Sequence, residues 1–323
     1  MVLEYLYNTY FFKAVTIMKR KVSLSIGNFQ NTRDDFEALT IAKNVGADAV
    51  DFDTCGPRWD YRNPNSIYSK SEDEYVDFFT RLKKHADSLG IEIGQTHGRI
   101  QGFKNIKEED DALVVNAGFD CRAASLLGAP VVIIHSVGSG PFGADADPKF
   151  MQALNFDMFT RMLPYAKKYN VKLASETFGD CPSIGCCDFF GDIDQFIISY
   201  NKVCAVDDNA KYMSCCVDTG HSNKATRFNN NPSPADVIRM LGPNISTLHL
   251  HDNDTFTDQH KIPMTGTIDW KDVFNALDEI NYCGNYNMEM VMTHFGKGFA
   301  VEMAEFSIKL MRYLLRERYG DNA

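Results

Sequence analysis

Between Ser246 and Trp270 the chain reads STLHLHDNDTFTDQHKIPMTGTIDW, gathering three histidines and four aspartates into one stretch. Imidazoles and carboxylates at that density suit two kinds of chemistry: holding a divalent cation, and moving protons to or from a bound molecule. Ser246, Leu248 and Leu250 alternate with Thr247, His249 and His251. Side chains of a strand alternate faces, so both histidines are expected on one face.

Two further carboxylates have apolar neighbours, Glu176 within KLASETF and Glu289 within YNMEMVM. A carboxylate left unpaired inside an apolar strand is costly to desolvate, and a divalent cation shared by several of them removes that cost. His97, His135, Asp218 and His221 likewise end or follow apolar runs. A mixed oxygen and imidazole set suits Mn2+, Zn2+, Co2+ or Fe2+ better than Ca2+, with Mg2+ admitted where waters complete its shell.

The elements that must position these groups are short apolar runs alternating with helical patterns, the mark of βα units on a parallel sheet. Eight strands are expected, at 21–27, 49–53, 91–97, 130–136, 172–178, 214–219, 246–252 and 286–292. Phe36, Leu39 and Ala42 recur at helical spacing, and that helix should stop at Gly46, as others should at Gly90, Gly128 and Gly242. Eight units without a break read as a single α/β domain, a (β/α)8 TIM barrel over residues 21–318. Sites in such barrels lie at the carboxyl ends of the strands, where six of the eight expected strands deliver a histidine or carboxylate. One such histidine is more often structural. Eight groups on one side of a barrel are not explained that way. By alternation Met288 and Met290 point toward the helices, so Glu289 and Glu176 converge inside.

Five pieces of the chain, taken in order, resemble the xylose isomerase-like TIM-barrel superfamily, and within it the sugar phosphate isomerases and epimerases that include the ketose 3-epimerases. They are SETFGD with Glu176; Asp218-Thr219-Gly220-His221; His249 to Asp252; Asp258 and His260 followed by Pro263, Gly266 and Ile268 to Trp270; and Glu289. The resemblance runs over nearly the whole barrel. It implies one divalent metal, Mn2+ before Zn2+, Co2+ or Mg2+, held by Glu176, Asp218, His249 and Glu289, with His251 the rival of His249. It implies that Glu176 and Glu289 also serve as acid and base on either side of a sugar carbon, through an enediolate next to a metal-polarised carbonyl. The implied function is a metal-dependent sugar or sugar-phosphate isomerase/epimerase with a small carbohydrate substrate, expected as a homo-oligomer. His135 is a candidate additional base, and His97, His221, His251, Asp258, His260 and Trp59 are candidate substrate contacts.

The chain departs from that pattern in three places. An arginine that the ketose 3-epimerases carry after the strand-seven histidine is replaced by the acidic HDNDTFTDQH, the loop reads Pro263-Met264-Thr265-Gly266 instead of P-G-x-G, and His97 and His135 exceed the needs of a one-metal epimerase. The excess keeps other readings open. His97, His135, Glu176, Asp218, His221, His249, Asp258, His260 and Glu289 match in order the ligands of the trinuclear-zinc apurinic-site endonucleases of the endonuclease IV type. Against that resemblance, Thr-Phe-Gly-Asp follows Glu176 where those enzymes have Asn-Thr-Ala-Gly, and no Lys or Arg run for a phosphate backbone lies near the site. Lyases of the same barrel, inosose dehydratases and C-glycoside deglycosidases acting on 3-oxo-sugars with a small partner subunit, form a third reading. A non-catalytic sugar-binding barrel is a fourth.

Composition narrows the setting. The chain has 323 residues, 44% of them hydrophobic, enough for a large core, and its formal charge of −10 argues against a dedicated nucleic-acid surface. Nine cysteines lie scattered without any pair of C-x-x-C motifs, as in a reducing cytoplasm; Cys181, Cys186 and Cys187 have the wrong spacing for a zinc knuckle. Residues 1–20 lack a long apolar region and a small-residue cleavage site and are expected as an extension, with Met18 a candidate start that would leave 1–17 non-native or partner-binding. No run of eighteen apolar residues suggests a membrane span, and residues 319–323 are expected as a frayed tail. Trp59 and Phe103, in the long loops after the second and third strands, read equally as a substrate lid or as loop packing.

Overall fold

The computed structural model describes residues 20–228 and 230–320, so the expectations for residues 1–19 lie outside the described residues. Eight strands form one parallel sheet in the order β10-β1-β2-β3-β4-β5-β8-β9. They are β1 (Val22–Ser25), β2 (Ala49–Asp53), β3 (Glu92–His97), β4 (Val131–His135), β5 (Lys172–Glu176), β8 (Met213–Asp218), β9 (Ile245–His249) and β10 (Tyr286–Met288), while β6 (Asp180–Cys181) and β7 (Cys186–Cys187) make a small antiparallel hairpin after β5. All eight expected strands are present, several of them shorter at the carboxyl end. The seventh stops at His249 and the eighth at Met288 because the chain there turns into the loops that carry the site.

The sheet closes on itself. β10 pairs with β1 from Val22 and Tyr286 onward, and the seam with β9 is sewn by Leu250 N donating to the Asn287 carbonyl at 2.8 Å and Glu289 N donating to the Leu250 carbonyl at 3.2 Å. Runs such as VVIIH in β4 are buried from Val131 to Ile134 because a parallel sheet in a barrel is covered on both faces. Met288 and Met290 are buried in the main core between strands and helices, as alternation requires, whereas Val131, Ile133, Ala174 and Cys216 form a separate small cluster.

Helices surround the strands, and local chemistry sets their ends. Ser71 and Glu74 form a reciprocal capping box at the start of Glu72–Leu89, and that helix ends on Gly90 at φ +64, a left-handed conformation glycine adopts without penalty. The last helix, Ala300–Tyr319, runs further than expected. In its terminal turn Arg318 donates to Asp278 and Asn275 at 2.8 and 2.7 Å and the Tyr319 hydroxyl donates to Asp278 at 2.5 Å, while residues 321–323 of the expected tail lie outside the described residues. Among the described residues no helix is long and apolar enough to cross a membrane.

Candidate metal centre

Glu176, the last residue of β5 and 1% exposed, is the hub of the site. Its Oε2 lies 3.1 Å from His135 Nε2 and 3.4 Å from His97 Nε2. Its Oε1 lies 3.2 Å from His249 Nδ1 and 3.3 Å from His221 Nδ1. Strand register accounts for much of this: His135 is the partner of Glu176 across β4 and β5, and His249 the partner of Asp218 across β8 and β9. His249 Nδ1 is also 3.3 Å from Glu289 Oε2 and 3.9 Å from Asp218 Oδ2.

His251, the rival candidate, holds a different post. Its Nε2 lies 2.9 Å from Asp218, its ring stacks on His260 at 3.8 Å, and it is wholly buried, with a donor atom that also lies within 4.8 Å of donor atoms of His260 and Glu289. Gly220 makes room for it: a Cβ there would sit 1.9 Å from His251 Cε1. The glycine of the Asp218-to-His221 turn is thus a packing requirement of the histidine 31 residues on, since bonded-scale approach leaves no space for a methyl.

The acidic loop after β9 has two halves. Asp252 is the structural half: it accepts Trp270 Nε1–H at 2.8 Å and the Asn253 amide at 2.9 Å, and so clasps the Ile268-to-Trp270 segment under the loop. Asp258 and His260 are the half that reaches the other candidate site residues. Asp258 Oδ2 lies 3.4 Å from His221 Nε2 and 3.2 Å from His260 Nε2, and His260 Nδ1 lies 3.2 Å from the Glu289 carbonyl oxygen. His260 is held at φ +43, a left-handed conformation that costs a non-glycine residue on the order of 1–3 kcal/mol and clusters at functional sites.

Electrostatics follow from burial opposed by close opposite charges. Burial alone would raise the Glu176 carboxyl, but the His249, His135 and His221 imidazoles hold it well below the usual carboxylate range. Burial alone would lower His97, but Glu176 raises it to about 10, and Asp258 in the same way raises His260 to about 9. His221 and His249 are also raised, against their burial, by Asp218 and Asp258 for the first and by Cys216, Glu289, Glu176 and Asp51 for the second. His135 is the exception: burial lowers it despite Glu176.

These residues fit a divalent metal. Both carboxylate oxygens of Glu176, His249 Nδ1, His135 Nε2 and Glu289 Oε2 are buried without an aligned hydrogen bond, although each lies 3.1–3.3 Å from another of the set. Buried polar groups in native proteins are almost always satisfied, so donors this close yet misaligned point to a shared cation. Among the described residues, His97, His135 and Glu176, then His221, Asp258 and His260, and also His97, His249 and Glu289, each bring three donor atoms within 4.8 Å of one another. The donors outnumber those one ion uses.

Beside them opens a cavity of about 250 Å³ whose lining includes Ser25, Asn28, Asp51, Asp53, His97, His260 and Glu289, with no lysine or arginine. Two lid candidates are elsewhere. Trp59, 2% exposed, packs among Phe52, Tyr68, Phe78 and Phe79, and Phe103, 1% exposed, lies beneath the Arg161 guanidinium, as the loop-packing alternative describes, and neither lines the cavity.

The family described as xylose isomerase-like TIM barrel matches residues 39–313. The chain belongs to this family. A curated member-like relative, the uncharacterised protein y4fM of Sinorhizobium fredii, is 22% identical over 173 residues, 53% of this chain and 50% of that protein, so the match spans half its length. Among solved structures, a D-tagatose 3-epimerase-like protein superposes with a TM-score of 0.68 at 18% identity, covering 92% of this chain and 99% of its own. The IolI protein, solved with a bound zinc atom, superposes with a TM-score of 0.66 at 15% identity, covering 92% and 97%. Likeness at these identities is likeness of fold.

For a xylose isomerase-like barrel, the sequence reading passed over three residues of this site. Asp51 in β2 accepts from His249 Nε2 at 3.0 Å, Asp53 borders the cavity, and Cys216, read as a small hydrophobe, has its sulfur within 4.8 Å of Glu176 and His249 donor atoms. The signal for Asp51 was the one used for Glu176 and Glu289, a carboxylate inside an apolar strand, here AVDFD.

Proposed function

We propose that this protein is a divalent-metal-dependent isomerase or epimerase of an unphosphorylated sugar. One observation carries the reading: carboxylate oxygens of Glu176 and Glu289 stand 3.2 and 3.3 Å from the same nitrogen of His249, and Glu289 also borders the cavity. Glu176, Asp218, His249 and Glu289 would hold the cation, and the cation would supply polarisation of a carbonyl and its neighbouring hydroxyl. Glu289, 20% exposed, is placed to exchange a proton with a bound sugar, while Glu176, kept ionised by the imidazoles around it, offers the second carboxylate. Ser25, Asn28, Asp53 and His260 give the cavity wall the hydrogen-bonding groups that hydroxyls need. Carboxylates in a lining without lysine or arginine disfavour a phosphate, which would meet like charge. The epimerase-like and zinc-bearing relatives support the reading at the level of fold.

The decisive experiment is an activity screen with added Mn2+ against ketoses, ketose phosphates, inososes and 3-oxo-glycosides. Epimerisation or isomerisation of a free sugar supports the proposal. Turnover confined to inososes or 3-oxo-glycosides would replace it with the lyase reading, which uses the same proton abstraction. A second reading has an observation of its own: the His97 and His135 pair and the His221, Asp258 and His260 group leave donors beyond those of one ion. They favour a multi-metal phosphoester hydrolase, and metal content of three per chain together with cleavage of an abasic DNA duplex would establish it over the isomerase.

A further inference from the structure

His249 shows its two nitrogens to two different kinds of neighbour. Nδ1 faces Glu176 and Glu289, while Nε2 lies 3.0 Å from Oδ2 of Asp51. Asp51 is 1% exposed and His249 wholly buried, so the contact is screened from water. The same Asp51 oxygen accepts a hydrogen bond from Ser25 Oγ at 3.1 Å, and Ser25 Oγ in turn accepts from Asn287 Nδ2 at 2.9 Å. Register builds this chain of contacts: Ser25 is the partner of Asp51 across β1 and β2, and Asn287 is the partner of Ser23 across β10 and β1. Oδ2 of Asp51 is therefore held by Ser25 on one side and loaded with His249 on the other, while Oδ1 has no aligned hydrogen-bond partner.

We infer that Asp51 is the positioning residue of the metal site, holding His249 so that Nδ1 is the nitrogen offered to the cation. A neutral imidazole has one N–H and one lone pair. A buried carboxylate accepting at Nε2 keeps the proton there and leaves the lone pair at Nδ1, and it raises the basicity of the ligand as well. His251 provides the internal contrast. Its Nε2 is engaged by Asp218 and its Nδ1, like that of His249, has no aligned hydrogen-bond partner, but its ring lies against Gly220 and stacks on His260. Having a carboxylate behind the ring is common to both histidines; facing two more carboxylates in front is what distinguishes His249. The inference rests on the metal reading of the site and is independent of which sugar is bound.

The test compares zinc dissociation constants, measured by competition with a chromophoric chelator, for the wild type, Asp51→Asn, Ser25→Ala, His249→Ala and the double variant Asp51→Asn/His249→Ala. Asp51→Asn keeps the shape of the side chain and is expected to weaken zinc binding by about 10–100-fold, with Ser25→Ala weakening it less. In the His249→Ala background the Asp51→Asn change should have no further effect, which a general loosening of the fold would not reproduce. In the zinc-loaded wild type, histidine-labelled NMR should show His249 protonated at Nε2, with that signal shifted in Asp51→Asn. A wild type that binds zinc, with Asp51→Asn binding it equally well or with His249 protonated at Nδ1, would overturn the inference alone. A wild type that takes up neither zinc nor manganese would overturn the metal reading and the inference with it.

Discussion

Glu176 faces His135 with one carboxylate oxygen and His249 with the other, at 3.1 and 3.2 Å. A single buried side chain thereby ties the imidazoles of β3 and β4 to those of β9 and the turn after β8. Neutralising it would remove a carboxylate that His97, His135, His221 and His249 all share.

Glu176→Gln is therefore expected to reduce turnover by at least about 100-fold while the barrel stays folded, since the amide keeps the size of the side chain but neither binds a cation as well nor exchanges a proton. Steady-state kinetics beside a thermal melt check this. Wild-type rates in the variant would remove the two-glutamate mechanism.

Metal uptake should strengthen with pH. In the metal-free protein His97 and His260 are raised to about 10 and about 9, and His221 and His249 are raised too, so a cation must displace their protons. Apparent affinity should climb from about pH 6 through about pH 10, with protons released in calorimetry run in two buffers. The metal-free fold should show the opposite slope. Histidines raised above their unfolded value of about 6.5 contribute stability that is complete below that pH and is lost as pH rises through about 9 to 10. Melting temperatures of stripped protein across that window supply the check, and an affinity flat between pH 6 and 9 would contradict the protonated cluster.

Gly220→Ala should cost about 1–3 kcal/mol of stability and weaken metal binding, because its Cβ would press on His251 and push that ring off Asp218. Denaturant melts and chelator competition measure the two effects separately. A neutral outcome for both would mean that His251 moves without consequence.

Trp59→Ala should destabilise the fold by about 3–5 kcal/mol and leave KM close to its wild-type value, as expected for a ring buried among Phe52, Tyr68 and Phe79. A large rise in KM with unchanged stability would restore the lid role.

Much of this arrangement was legible in the chain because both signals are periodic. The apolar runs that repeat with the βα unit mark the strands, and a barrel's geometry then sends every strand-end histidine and carboxylate to one rim, whereas the choice of Glu176, Asp218, His249 and Glu289 among them as ligands comes from the resemblance to the sugar isomerase and epimerase barrels. Spacing says less where the chain leaves the strands. His249 and His251 alternate identically, yet the strand stops between them, and only the packing of the second against Gly220 and Asp218 tells their surroundings apart. Trp59 was ambiguous for a related reason: a large ring in a long loop has the same sequence signature whether it turns toward the cavity or toward the core. Asp51 carries the same signal as Glu176, a carboxylate inside an apolar strand, but the histidine it meets lies 198 residues away.

The position of Glu176 also bears on how such a protein could acquire a new substrate. Because one carboxylate serves two sets of imidazoles, changes at the centre are bound to be strongly non-additive, and most paths through it pass through inactive intermediates. The β1 and β2 side of the cavity is different. Asn28, Asn31 and Asp53 border the space, and their side chains make no hydrogen bond or ion pair with Glu176 or its histidines among the described residues, although Asp53 is the strand partner of His97, so variation there can reshape what is bound with less disturbance of the chemistry. That wall is the natural starting point for library design, and the place where relatives with different substrates should differ first.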